Sequence, residues 1–230
     1  LQSVIVTGAF GALGLAVARA FARRGDAVTL VDAAPQAQAE IAADFPAPHA
    51  IAAGVDLTRL SLAQAVMDAA AARAGIDVLV NVAGGFKWEP VADSALDVWN
   101  AMYAVNLTTA LVATRAVLPT LKQRRRGRVI NIGAAAAAMR AAAGMGAYAA
   151  AKSAVHRLTE SLADEVKDFG ITVNAVLPGT IDTPANRRDM PNADTSRWVA
   201  PEAIAEVVCF LASDAARAVN GALIPVWGRA

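Results

Sequence analysis

One cysteine, Cys209, occurs in 230 residues, so no internal disulfide can form and packing alone must hold the fold. A reducing, cytoplasmic setting fits that usage, and the Ala/Leu/Val-rich helical pattern around Cys209 predicts a buried thiol. Histidine is equally scarce. Neither His49 nor His156 stands at ligand spacing from the cysteine or an acidic cluster, and no metal site is expected. An excess of one charge is missing too: 21 basic and 20 acidic residues give a formal +1, which offers no field for nucleic acid or acidic lipid. The one basic cluster, Arg124-Arg125-Arg126-Gly127-Arg128, reads as a solvated helix end. Hydrophobic residues make up 56% of the chain, but alanine supplies much of that share and no apolar run reads as long enough to cross a bilayer. Neither nucleic acid nor membrane is therefore an expected partner. No signal-peptide pattern is visible, and since the first strand pattern begins almost at Leu1, an upstream segment stays open.

What is present is regular alternation. Apolar, β-branched stretches near 3–7, 27–31, 49–53, 76–81, 128–132, 171–176 and 222–226 are separated by helical patterns and short polar or glycine-containing joints. That order predicts an α/β fold with one doubly wound domain over 1–230. Its mostly parallel seven-stranded sheet carries helices on both faces and ligands at the carboxyl ends of the strands. The alanine-rich stretch 134–143 reads as a loop.

The first strand pattern runs through Gly8, Gly11 and Gly14 into an alanine-rich helical pattern. Glycines let a backbone turn tightly and approach a ligand, and the helix start attracts a pyrophosphate, so this segment reads as a Rossmann-type dinucleotide site. Asp32 ends the second strand, where a ribose is read. Its carboxylate would accept hydrogen bonds from both adenosine ribose hydroxyls and repel a 2′-phosphate, so NAD(H) is expected, with NADP(H) left open. Later in the chain, Tyr148 and Lys152 stand four residues apart, and a helix puts both on one face. An ammonium beside a phenol should lower its pKa from about 10, making the two a candidate proton-donating pair.

Together these residues resemble the short-chain dehydrogenase/reductase family over essentially the whole chain. Thr7-Gly8 through Ala12 and Gly14, with Phe10 and Leu13 inside the turn, fits its TGxxx[AG]xG segment. Asp56-Leu57 follows the third strand, where that family contacts adenine, and Asn81-Val82-Ala83-Gly84 resembles its NNAG segment. Asn106, Tyr148 and Lys152 match its catalytic positions. Pro178-Gly179, followed by Ile181 and Thr183, resembles its segment that contacts the nicotinamide carboxamide. The resemblance implies that Lys152 binds the nicotinamide ribose and that Asn106 positions a relay water; as a residue alone, Asn106 equally reads as a helix-kink residue bonding its own backbone. It also implies a small-molecule substrate and a homo-oligomer, dimer or tetramer, through apolar helices near 94–122 and 147–169.

One departure stands out. The family places a serine on the loop after the fifth strand, where it hydrogen-bonds the reacting carbonyl oxygen. Here that position falls on Ala134 or Ala135, and no hydroxyl residue lies between Gly127 and Tyr148. Losing one oxyanion donor costs about a hundred- to a thousand-fold in rate. Three explanations follow: a substrate needing no such donor, a replacement such as a backbone N–H or water, or loss of catalysis.

The same loop, Gly144-Met145-Gly146-Ala147-Tyr148, the Ala83-Gly84-Gly85 turn and the run from Leu177 to Trp198 resemble the quinonoid dihydropteridine reductase subgroup. This resemblance implies a conjugated, imine-like substrate, protonated at a ring nitrogen by Tyr148. Trp88, Met145 and Trp198 are candidate walls for a flat ring, and 184–200 a candidate lid. A carbonyl reductase or alcohol dehydrogenase with a replacement donor is the alternative enzyme. A catalytically weak NAD(H)-binding protein is the alternative outside enzymology.

Overall fold

The computed structural model describes residues 1–229. The elements, in chain order, are β1 (Ser3–Thr7), α1 (Ala12–Arg23), β2 (Ala27–Val31), α2 (Ala39–Asp44), β3 (Ala50–Ala52), α3 (Leu60–Ala74) and β4 (Val78–Asn81). Next come α4 (Leu96–Tyr103), a π-helical turn at Ala104–Thr108, α5 (Thr109–Arg124), β5 (Gly127–Ile132), α6 (Ala135–Ala138) and α7 (Gly146–Val166). β6 (Ile171–Pro178), α8 (Pro184–Asp189), α9 (Pro201–Ala212) and β7 (Leu223–Val226) complete the chain.

All seven strands pair in parallel, in the order β3-β2-β1-β4-β5-β6-β7, so the expected doubly wound sheet is present. Period-two alternation divides its side chains between two helical layers. Val4, Val6, Ile130 and Val176 pack toward α1 and α9, whereas Ile5, Leu79, Val129 and Val173 pack toward α3, α5 and α7. Burial on both faces explains why the central strands read as continuous apolar runs. Alanine has its own use here, because Ala16 and Ala18 of α1 and Ala205 and Ala212 of α9 share one buried cluster, and small side chains let those helices approach closely. The strand order reverses between β1 and β4, which opens a crevice at the carboxyl edge carrying Thr7, Val31, Asn81, Ile132 and Pro178.

Several expectations need correction. Helical structure is continuous from Leu96 to Arg124, a 29-residue run whose apolar window, mean hydropathy 1.3, is long enough to cross a membrane by length and composition. Half of that window is buried within the fold, because α5 is packed against the sheet and α3 as a core helix. The basic cluster is engaged: Arg124 pairs with Asp77 at 3.0 Å, Arg125 donates to the Asp168 carbonyl and lies over Phe169, and Arg128 is buried. Cys209 is half-buried rather than buried, since its helix position borders the surface. The 134–143 stretch contains the short helix α6, as its alanine content favours.

Candidate active site

The glycine turn is held by close approach. Gly8 has φ +60°, and a Cβ there would meet Ala83 N and Cα at 2.7 Å; a Cβ on Gly14 would run into the Gly8 carbonyl. Thr7 Oγ1 ties this turn to the end of β4 by accepting from Val82 N and Ala83 N, both at 3.1 Å. Gly11 caps α1 without a side-chain acceptor, leaving first-turn N–H groups for an anion. Asp32 accepts from Phe10 N and Ala34 N, both at 2.9 Å, which locks its carboxylate beside the turn. Leu13 and Leu57 point into the core, so at these positions only the backbone reaches the crevice. Asp56 is exposed, and hydrogen bonds from Thr58 hold its carboxyl below the usual range.

Asn81 is buried too. Its amide donates to Asn131 Oδ1 at 2.9 Å and Thr114 Oγ1 at 3.0 Å, and Asn131 passes the chain on to Thr159 at 2.9 Å. This residue braces β4 against β5, α5 and α7, while Ala83 and Gly84 line the crevice behind it. A Cβ on Gly84 would lie 2.8 Å from Asn106 Oδ1 and 3.3 Å from Lys152 Nζ, so the backbone there passes directly over both groups. Asn106 sits in the π-helical turn, donating to Met102 O and Gly85 O at 3.0 Å and accepting from Gly85 N at 3.2 Å. The kink-bonding reading holds, and the same amide also clamps the Gly85 peptide.

Tyr148 and Lys152 share the inner face of α7, as their spacing predicts. Lys152 is buried, and Nζ donates to the Ile132 carbonyl at 2.7 Å; burial pushes its pKa down to about 8. The expected lowering of the Tyr148 pKa is not seen. Burial pushes it up to about 12, and the Phe86 ring stands edge-on to the phenol at 5.1 Å. The ammonium is directed at a carbonyl instead of the phenol, so desolvation wins. Phe86 was missed in the sequence; only its place next to Gly84-Gly85 hinted at it.

Ala134 occupies the loop after β5 in a buried, extended conformation. Its N–H donates to His156 Nε2 at 3.3 Å, so this amide is not free to replace the serine. His156 is buried, and burial and the nearby Lys152 charge push its pKa down to about 4, leaving the ring neutral near pH 7. The sequence reading set His156 aside as isolated, although it lies one further turn along the Tyr148 and Lys152 stripe.

The mouth of the crevice is a clasp between two loops. Trp88 Nε1 donates to Ala143 O at 2.9 Å, its ring lies over Gly144 (φ +78°), and Glu89 N donates to Gly144 O at 2.8 Å. Met145 caps α7 just beyond that clasp. Gly179 follows β6 and donates its N–H to Val226 O at 3.2 Å. Ile181 bridges Val199, Asn186 donates to Ile181 O at 2.8 Å, and Thr183 Oγ1 caps α8 by accepting from Asn186 N at 3.1 Å. The 184–200 segment thus has a hydrogen-bonded root. The backbone of Trp198, at the end of this segment, sits beside Gly228, whereas Trp88 belongs to the clasp over Ala143 and Gly144.

Comparison with known proteins agrees with this geometry: a family model described as short chain dehydrogenase matches residues 2–194. The chain belongs to the short-chain dehydrogenase family. It is 33% identical to 2-(S)-hydroxypropyl-CoM dehydrogenase 3 of Xanthobacter autotrophicus, covering 99% of this chain and 95% of that one. It is 34% identical to meso-2,3-butanediol dehydrogenase of Serratia marcescens, covering 99% and 93%. A solved structure described as ribose-5-phosphate isomerase from Brucella melitensis 16M superposes with a TM-score of 0.90 at 31% identity, covering 99% and 91%.

As a short-chain dehydrogenase, this chain is an NAD(P)-dependent oxidoreductase, and its residues fit the dinucleotide. Gly8 and Gly14 leave no room for a Cβ beside an open helix start, and among the described residues the buried Lys152 ammonium has one protein acceptor for three N–H donors. The turn would hold the phosphates, and Lys152 the nicotinamide ribose. The chemistry that a dinucleotide held there would supply is the giving or taking of a hydride. Tyr148 would hold the exchangeable proton at Oη, where burial raises its pKa and the Phe86 ring packs edge-on against the phenol.

Proposed function

We propose that this short-chain dehydrogenase is an NADH-preferring reductase of a small cyclic or heteroaromatic substrate bearing a conjugated imine, such as a quinonoid dihydropterin. One observation carries the reading: the loop after β5 has no hydroxyl, and the Ala134 N–H that could stand in for it is bound to His156. Reduction of an imine places the proton on nitrogen, so no full alkoxide develops and a serine-type donor is not required. Asp32, locked beside the turn, supports NADH by repelling a 2′-phosphate. The 184–200 segment serves as a lid hinged at the bridge from Ile181 to Val199. Exposed Leu96, Tyr103 and Leu111 support a homo-oligomer through α4 and α5, which light scattering tests.

The deciding experiment follows NADH oxidation with a quinonoid dihydropterin generated in situ, beside simple ketones, for the parent and for Ala134→Ser. Fast dihydropterin turnover with slow ketone turnover that the serine raises supports the proposal. Fast ketone turnover by the parent overturns it. A second reading, reduction of simple ketones with water as the donor, is favoured by the names of the two dehydrogenases matched over nearly their whole length.

A further inference from the structure

We propose that His156 is a positioning residue, which holds the end of β5 so that the Ile132 carbonyl stays aimed at the Lys152 ammonium facing the cofactor crevice. Lys152 and His156 lie one helical turn apart on α7 and grip successive peptide groups of one short segment. Lys152 Nζ donates to Ile132 O at 2.7 Å, and His156 Nε2 accepts from Ala134 N at 3.3 Å. Between them stands Gly133, whose N–H makes the last rung of the ladder to β6, donating to Val176 O at 2.8 Å. A glycine that ends a strand frays easily, and here the imidazole fills the place its side chain would occupy: a Cβ on Gly133 would lie 2.7 Å from His156 Cδ2. Gly133 and His156 therefore form one packed unit: the imidazole holds the peptide that carries the Ala134 N–H and, by packing on Gly133, limits the φ and ψ rotations through which that peptide joins the one carrying the Ile132 carbonyl.

The consequence falls on Lys152. Burial works against its charge, and the Ile132 carbonyl is its protein acceptor among the described residues, where no carboxylate pairs with it. Tyr148, Ser153 and Arg157 on α7, Asn106 from the π-helical turn and Tyr103 from α4 are polar groups around this stripe, and none is acidic. A neutral imidazole suits this place because a cation would repel the ammonium. With Nε2 accepting, Nδ1 carries the ring hydrogen, and the ring also borders a surface cavity of about 460 Å³ shared with Tyr103, Ser153 and Arg157.

The test reads NADH dissociation constants by fluorescence titration from about pH 6 to about pH 10, with thermal midpoints measured beside them. It rests on the family's cofactor site and not on the dihydropterin reading, so either can fail alone. Parent binding should weaken as pH rises through about 8. His156→Leu should move that limb down by about one pH unit, a tenfold loss of affinity between the two limbs, because the ammonium loses a well-aimed acceptor. Gly133→Ala, which displaces the imidazole without deleting it, should reproduce the shift, so the reading survives if the leucine variant does not fold. His156→Gln, which keeps an acceptor oxygen at similar reach, should return the limb to its place. An unmoved limb in His156→Leu or Gly133→Ala overturns the proposal. So does a glutamine variant shifted as far as leucine, since only packing would then matter.

Discussion

Replacing Lys152 with methionine should separate what this residue does for binding from what it does to stability. The ammonium is buried with one carbonyl partner, and its pKa falls from 10.5 to about 8. In the unfolded chain it regains its ordinary value. Below pH 8 both states carry the proton, and the folded state bears the full desolvation penalty of about 3 kcal/mol, from 1.36 kcal/mol per pKa unit. Between pH 8 and 10.5 only the unfolded state keeps its proton, so this group makes folding more favourable as pH rises. Methionine has similar length and no charge. It strands the Ile132 carbonyl, at about 1–3 kcal/mol, so near pH 7 the two effects roughly offset each other. The pH dependence cannot be offset. Urea unfolding at fixed protein concentration, from pH 7 to pH 10, should show the parent gaining about 2 kcal/mol relative to Lys152→Met, with most of the gain above pH 8. A difference constant across that range would refute the claim that a charged Lys152 is desolvated in the folded protein. NADH affinity should fall in the variant at pH 7 whatever happens to stability.

Tyr148→Phe should cut turnover by about 10²- to 10⁴-fold, the usual worth of a positioned proton donor, while a fluorescence titration finds NADH binding retained. Asp32→Ala should reduce the NADH over NADPH preference by about tenfold, measured as the ratio of kcat/KM values; an unchanged ratio would remove Asp32 from cofactor choice. Thr7→Val deletes the acceptor shared by Val82 N and Ala83 N, and chemical denaturation should show a loss of about 2 kcal/mol that Thr7→Ser largely avoids.

Much of the site was legible because its parts are local. The Gly8–Gly14 turn, Asp32 at a strand end and the Tyr148 and Lys152 spacing each depend on one strand, one turn or one helix, whose periods are written in the sequence. Their meeting in space followed from right-handed parallel connections, which bring successive strand ends to one edge of the sheet. What local patterns did not reveal depends on burial or on partners distant in sequence. The direction of the Tyr148 pKa turned on Phe86 and on which group Lys152 addresses. Leu13, Leu57 and Asn81 carry family-like motifs yet point inward, because alternate strand and helix positions face the core and a motif does not mark which residue contributes only its backbone.

By itself, the sequence determined the fold class, the alternation of strands and helices along the chain, the dinucleotide turn and the absence of a hydroxyl between Gly127 and Tyr148, since each is a matter of residue identity and short-range period. Only the tertiary structure decided that the adjacent backbone amide does not fill that gap. His156 lies 22 residues from Ala134, and packing α7 over the ends of β5 and β6 turns an isolated histidine into the partner of the very amide that the missing serine would have left to substitute for it. Burial then sets the charge states of Tyr148, Lys152 and His156, because desolvation depends on the surrounding atoms in space, which no local pattern records.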